Sequence, residues 1–135
     1  MIYLDSNVFI SAAINNEELG SKCRNLVRRI KEGESKAATS ALTFDEVVWK
    51  VKKERSFETG LLAGRAILEM KNLSIIEVNE TVLAEALGIM KNCILDPRDA
   101  IHAACSISRG ISTIISEDSD FDRVKELKRK GIMEI

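Results

Sequence analysis

Four acidic residues fall where the sequence pattern changes from one element to the next: Asp5, Glu46, Asp99 and Asp118. Asp5 closes the apolar opening "MIYL", and Asp118 follows the apolar run "TIIS" within three residues. Glu46, in "SALTFDE", and Asp99, in "LDPRDAIHA", stand at or near helix beginnings. Brought together, four carboxylates repel, and some must take up protons. A divalent cation removes that conflict. An oxygen-only ligand set without His or Cys favours Mg²⁺ or Mn²⁺ over Zn²⁺. Such a cation usually keeps several waters. One can become a nucleophile while the positive charge stabilises a phosphodiester under attack. The chemistry expected of a converged set is metal-assisted phosphodiester hydrolysis.

Each acid also has a purely structural reading. Asp5 can cap a helix. Glu46 can complete a Thr-x-x-Glu capping box with Thr43. Asp99 can favour a helix dipole behind Asp96. Asp118 and Asp120 can cap "FDRVKEL". Position alone does not separate the two readings, and a cap can also face a metal.

Whether residues so far apart meet depends on the fold. "MIYLD" reads as a short strand, followed by a helix over "SNVFISAAI" with Ser6 or Asn7 as cap. "SKCRNLVRRIKEG" places Cys23, Leu26, Val27 and Ile30 at i, i+3, i+4 and i+7, a helical stripe that Gly33 ends. "SKAATS" is a second strand. "ALTFDEVVWKVKKE" and "FETGLLAGRAILEMKN" are helical, the latter despite two glycines, and "LSIIEV" is a strand. "NETVLAEALGIMKN" is a helix capped by Asn79 or Thr81. "DPRDAIHAACSISRG" has Asp96 as cap, Pro97 at the first helical position and Gly110 as stop. "ISTIIS" is a strand, "DFDRVKELKRKG" a short helix and "IMEI" a last strand.

Strands thus alternate with helices from end to end. The expectation is a three-layer α/β/α fold, with a mainly parallel central sheet of about five short strands covered on both faces. Residues 1–135 read as one domain, with no Gly/Ser-rich linker and no repeat. In such sheets ligands bind beyond the carboxyl ends of the strands. Helix starts lie at that same edge, so the four acids can converge there.

Composition narrows the partners. The net charge is −1 and aromatic residues make up 4% of the 135. No global basic field or broad base-stacking platform is expected, so a nucleic acid would be gripped by its backbone. The three cysteines are isolated and there is one histidine, which argues against a disulfide framework or structural zinc and fits a reducing cytoplasm. No apolar run is long enough to span a membrane, and the N-terminus lacks a signal-peptide pattern.

The order and context of the motifs go further. "MIYLDSNVFI", "SALTFDEVVWKV", "LDPRDAIHAACSISRG" and "TIISEDSDFDRV" together resemble the PIN-domain family, particularly the toxin ribonucleases of VapBC toxin–antitoxin pairs. The resemblance spans essentially the whole chain. It implies a parallel sheet flanked by helices and Mg²⁺- or Mn²⁺-dependent cleavage of RNA. By motif match, Asp5, Glu46 and Asp99 would be the core ligands and Asp118 the fourth acid. Asp120 would assist or fix the turn, while Ser6 and Ser116 would orient carboxylates. Glu117 and Asp122 are left to solvent. The family also implies a homodimer and an antitoxin peptide, for which "SNVFISAAI" and the basic second helix frame a groove.

Other residues divide between backbone contacts and bystanders. Arg24, Arg28, Lys50 and Lys53 are candidates for phosphate contact, set against an ordinary solvated face. His102, one turn after Asp99, is assigned to packing or a satisfying hydrogen bond. Two other classes remain. A catalytically idle PIN-fold binding module would fold without binding Mn²⁺. A receiver-like signalling domain would need a central acceptor Asp, which is not evident.

Overall fold

The computed structural model describes residues 1–135. The chain runs β1 (Ile2–Leu4), α1 (Ser6–Ile14), α2 (Glu18–Lys31), β2 (Ala37–Ser40), α3 (Ala41–Glu54), α4 (Phe57–Glu69), β3 (Leu73–Ile76), α5 (Glu80–Cys93), α6 (Pro97–Ser108), β4 (Thr113–Ile115) and β5 (Lys128–Lys130), with short 3₁₀ turns at Ser119–Arg123 and Ile132–Glu134. The strands form one parallel sheet in the order β3-β2-β1-β4-β5. The three-layer expectation holds.

The apolar runs make sense in this setting. Side chains alternate across a strand, so a strand covered on both faces must be apolar at every position. Tyr3, Ala38 and Ile114 face one core with α5 and α6 residues such as Ala86, Ala100 and Ala104. Their neighbours Leu4, Ala37 and Ile115 face the other, with Val8, Leu26, Val47 and Ile67 from α1 to α4. The weak-looking strand "SKAATS" is acceptable for this reason: its small residues leave room for helices on both sides.

The two glycines inside α4 serve packing. A Cβ on Gly64 would meet Val48 Cγ2 at 2.9 Å and Phe44 Cε2 at 3.0 Å. α4 therefore lies close against α3.

The C-terminal region departs from expectation. "DFDRVKELKRKG" forms a single 3₁₀ turn and then the edge strand β5 rather than a helix, and "IMEI" forms a 3₁₀ turn rather than a strand. β5 pairs Thr113 with Lys128 and Ile115 with Lys130. The open edge of β4 supplies a main-chain ladder that outweighs the helical charge pattern. Arg129, the middle residue, donates from Nε and Nη2 to Asp122 at 2.9 and 3.2 Å and from Nη1 to the Ser116 carbonyl at 3.1 Å. Glu117 and Asp122 are exposed, as expected, but each also has a structural partner: Glu117 Oε1 accepts from the Ile132 amide at 2.5 Å, and Asp122 holds Arg129.

Candidate metal centre

Asp5 ends β1 and caps α1; the expected caps Ser6 and Asn7 instead lie inside the helix. The carboxylate is 5% exposed. Its Oδ1 accepts from the Ser6 amide at 2.7 Å, with the Ser6 hydroxyl at 3.5 Å. Its Oδ2 accepts from the Ser116 hydroxyl at 2.6 Å and Asn7 Nδ2 at 3.2 Å. Ser116 lies just past β4, so this bond ties the ends of the two central strands together.

Glu46 is six residues into α3. Thr43 is no cap partner for it, since the Thr43 hydroxyl is buried against Thr39 Oγ1 at 2.7 Å and Ser40 is the helix cap. Glu46 Oε1 instead meets His102 Nε2 at 2.6 Å. The other ring nitrogen, Nδ1, lies 2.6 Å from the Tyr3 hydroxyl. A carboxylate only accepts, so the Nε2 proton stays on the Glu46 side. Burial lowers the His102 pKa, but the Glu46 hydrogen bond and the charges of Asp5, Glu46 and Asp99 outweigh it and hold the ring above its ordinary value. Burial likewise keeps the Tyr3 hydroxyl protonated by pushing its pKa well up.

Asp99 occupies the first turn of α6, with Pro97 starting the helix. One oxygen each from Asp99, Asp118 and Asp120 lies within 4.8 Å of the others. Asp118 is fixed by its own turn: its amide donates to Ser116 Oγ at 3.0 Å, and its Oδ1 accepts from the Asp120 amide at 2.9 Å. Burial, the charge and hydrogen bond of Asp118 and the charge of Asp5 push Asp99 up to about 7, against the pull of His102. That is the price of a carboxylate cluster without a counter-charge.

The family model of the PIN domain matches residues 2–127. The chain belongs to the PIN domain family. Solved structures similar to this PIN domain include VapC20 of Mycobacterium tuberculosis, a sarcin-ricin loop cleaving toxin, at 14% identity with a TM-score of 0.75, over 90% of this chain and 93% of that one. VapBC2 from Rickettsia felis, bound to a promoter DNA fragment, matches at 19% identity and a TM-score of 0.72, over 97% and 98%. PAE2754 from Pyrobaculum aerophilum matches at 16% identity and 0.68, over 98% and 89%. No curated protein sequence matches the chain.

Within the PIN domain, the acids read from sequence come together in two linked groups. Asp5 and Glu46 gather around His102, whose Nε2 is 3.6 Å from Asp5 Oδ1. Asp99, Asp118 and Asp120 form the second group, and Ser116 bridges the two. The donor set fits a hydrated Mg²⁺ or Mn²⁺. All the candidate side-chain donors are oxygens, the ligand type that such hard cations take. Asn7 Oδ1, in the same hydrogen-bonded group, is a buried acceptor without a partner, which a coordinated water would satisfy.

The basic candidates divide. Arg24 Nη1 donates to the Asn15 carbonyl at 2.7 Å, and Arg28 pairs with Glu32 at 2.7 Å. Both line a different, apolar groove with Phe9, Val27 and Ile67. Lys50 borders a small cavity with Ser6 and Glu46, and Lys53 lies on the same helix beside Trp49. Sequence reasoning missed Asn7 as a partner of Asp5, and it missed Arg98 and Trp49 at that cavity. The adjacency of Arg98 to Asp99 was the available signal for one of them.

Proposed function

We propose that this PIN domain is a divalent-cation-dependent endoribonuclease and the toxin of a toxin–antitoxin pair. The observation that carries the reading is the convergence of Asp99, Asp118 and Asp120 beside Asp5 and Glu46 at the carboxyl edge of the sheet. Family membership and the VapC-type neighbours support it. Asp5, Glu46, Asp99 and Asp118 would hold one or two Mg²⁺ or Mn²⁺ ions, with Asp120 assisting. A bound cation supplies Lewis-acid stabilisation and lowers the pKa of an attacking water.

The chain's residues do the positioning. His102 presents Glu46 by fixing Oε1, and Tyr3 fixes the other side of the ring. Ser6, Asn7 and Ser116 orient both oxygens of Asp5. In the hydrolysis, water oxygen forms a new bond to phosphorus and one P–O ester bond breaks. One water proton goes to the departing ribose oxygen, the other to solvent.

The antitoxin reading rests on a groove between α1, α2 and α4, about 390 Å³ in volume. Phe9, Val47, Ile67 and Met70 floor it, and Arg24, Arg28 and Lys31 edge it. An amphipathic peptide with acidic flanks suits that surface. A second copy of the chain would cover the exposed Leu83 and Leu87 of α5.

The test is cleavage of single-stranded RNA by purified protein with Mn²⁺ and with EDTA, alongside Asp99→Asn. Cleavage only with metal, lost in the folded variant, is expected. Equal cleavage by folded Asp99→Asn overturns the proposed site, and no cleavage with no binding of Mn²⁺ in calorimetry favours an idle binding module.

A further inference from the structure

One face of α3 leads away from the acidic centre. Glu46, Trp49, Lys50 and Lys53 stand at i, i+3, i+4 and i+7, so they form one stripe about 10 Å long. Trp49 is the only tryptophan in the chain, and it is 55% exposed. The opposite stripe, Val47 and Val51, is buried, so packing already has its residues. Trp49 borders a cavity of about 180 Å³ with Ser6, Ile10, Asp45, Glu46, Lys50 and Arg98. That volume is below the ~300 Å³ of typical small-molecule sites and suits one ring system.

The charges around the ring are graded. Lys53 Nζ lies 5.0 Å from the Trp49 ring centroid. Arg98 is exposed and enters none of the ion pairs. Lys50 is 3.1 Å from Glu54, and both side chains are exposed. Asp45 lies at the cavity's edge and disfavours a phosphate there. An exposed aromatic ring with Lys53 over one face and Arg98 on the same cavity, next to carboxylates suited to a metal, matches a single-stranded nucleotide whose base stacks on the other face.

We propose that Trp49 stacks on the base of a nucleotide next to the scissile phosphate, and that Arg98 and Lys53 contact the phosphates on either side of it. The inference rests on the nuclease reading above. It names a base-contacting residue where composition alone suggested a grip on the backbone only. The stack tolerates any base, so it fixes the register of a single strand and rejects a paired one, whose bases are already stacked.

Because Trp49 is the sole tryptophan, its fluorescence reports this site alone. The probe is a uridine pentanucleotide added to the full chain in EDTA, where no cleavage occurs, compared with the same oligonucleotide carrying abasic riboses. Expected are saturable quenching by the first and little by the second. Trp49→Ala should raise KM for oligonucleotide cleavage in Mg²⁺ roughly tenfold, with Trp49→Phe recovering most of it. Arg98→Ala should reduce the salt slope of binding by about one. Unchanged KM in Trp49→Ala, with RNA still cleaved, overturns the subsite and leaves the nuclease reading standing. No cleavage and no RNA binding by wild-type protein overturns both. A monomeric Trp49→Ala from a dimeric parent, with unchanged KM, assigns the ring to a second copy instead.

Discussion

The two halves of the acidic centre are built differently. Around Asp5 and Glu46 the carboxylates are held by protein groups: two backbone or side-chain donors on each side of Asp5, and His102 on Glu46. Around Asp99 the carboxylates face each other, and Asp99 keeps its proton up to about pH 7. In the first half both carboxylates have protein partners, and only Asn7 Oδ1 lacks one. The second sets like charges against one another, a conflict that a bound cation would relieve. On the proposed reading, one half fixes geometry and the other would carry the affinity.

Replacing one acid in each half separates these roles most strongly. Asp5→Asn and Asp99→Asn should each lower metal-dependent cleavage about a thousandfold or more. Their stabilities should diverge. An asparagine at position 5 must turn its NH₂ toward an existing donor, costing about 1–3 kcal/mol in chemical denaturation. Asp99→Asn removes a repelling charge and should leave the metal-free fold as stable as wild type or slightly more so. Equal destabilisation by both would break the distinction.

Cation binding should act through the second half. Mn²⁺ at about a hundred times its Kd should stabilise wild-type protein by about 2.7 kcal/mol in a thermal melt. Asp99→Asn combined with Asp118→Asn should lose most of that gain. The reverse result would place the affinity with Asp5 and Glu46.

His102 tests the fixing half more gently. His102→Gln should weaken Mn²⁺ binding about tenfold by calorimetry, because Glu46 loses its orienting donor. Tyr3→Phe should show a smaller loss in the same direction. Intact Mn²⁺ affinity in His102→Gln would reduce the residue to core packing.

The smallest effect is in pH. The folded Asp99 binds its proton more tightly than an unfolded one, whose value is near 3.8. Its stabilisation is therefore complete below that value and lost as pH rises through about 7. His102, held above its ordinary value, acts in the same direction at higher pH. With half of Asp99 open to solvent, screening leaves an effect on the order of 1 kcal/mol. Denaturation in EDTA between pH 4 and 8 should show the decline, and saturating Mn²⁺ should flatten it.

The sequence made the sheet and the acids legible for one reason: both obey local patterns. Apolar strands alternate with capped helices, and Asp5 and Asp118 each follow a buried run. What it concealed depends on distant partners. The edge strand β5 is written in lysines and an arginine, and only the open side of β4 makes it a strand. Asn7 looked like a cap until Ser116 arrived from the far end of the chain. Arg24 and Arg28 looked available for phosphate, but their local partners and the adjoining groove place them elsewhere.

The central position of β1 also sets a schedule. The hydroxyl that aligns Asp5 belongs to a residue 111 positions later in the chain. At roughly 5–20 residues per second, the ribosome needs on the order of ten seconds to deliver it. Until then the acids cannot share one edge, because β4 has not yet joined the sheet. A nascent chain of this topology cannot complete its acidic centre until both β1 and β4 have been made and paired.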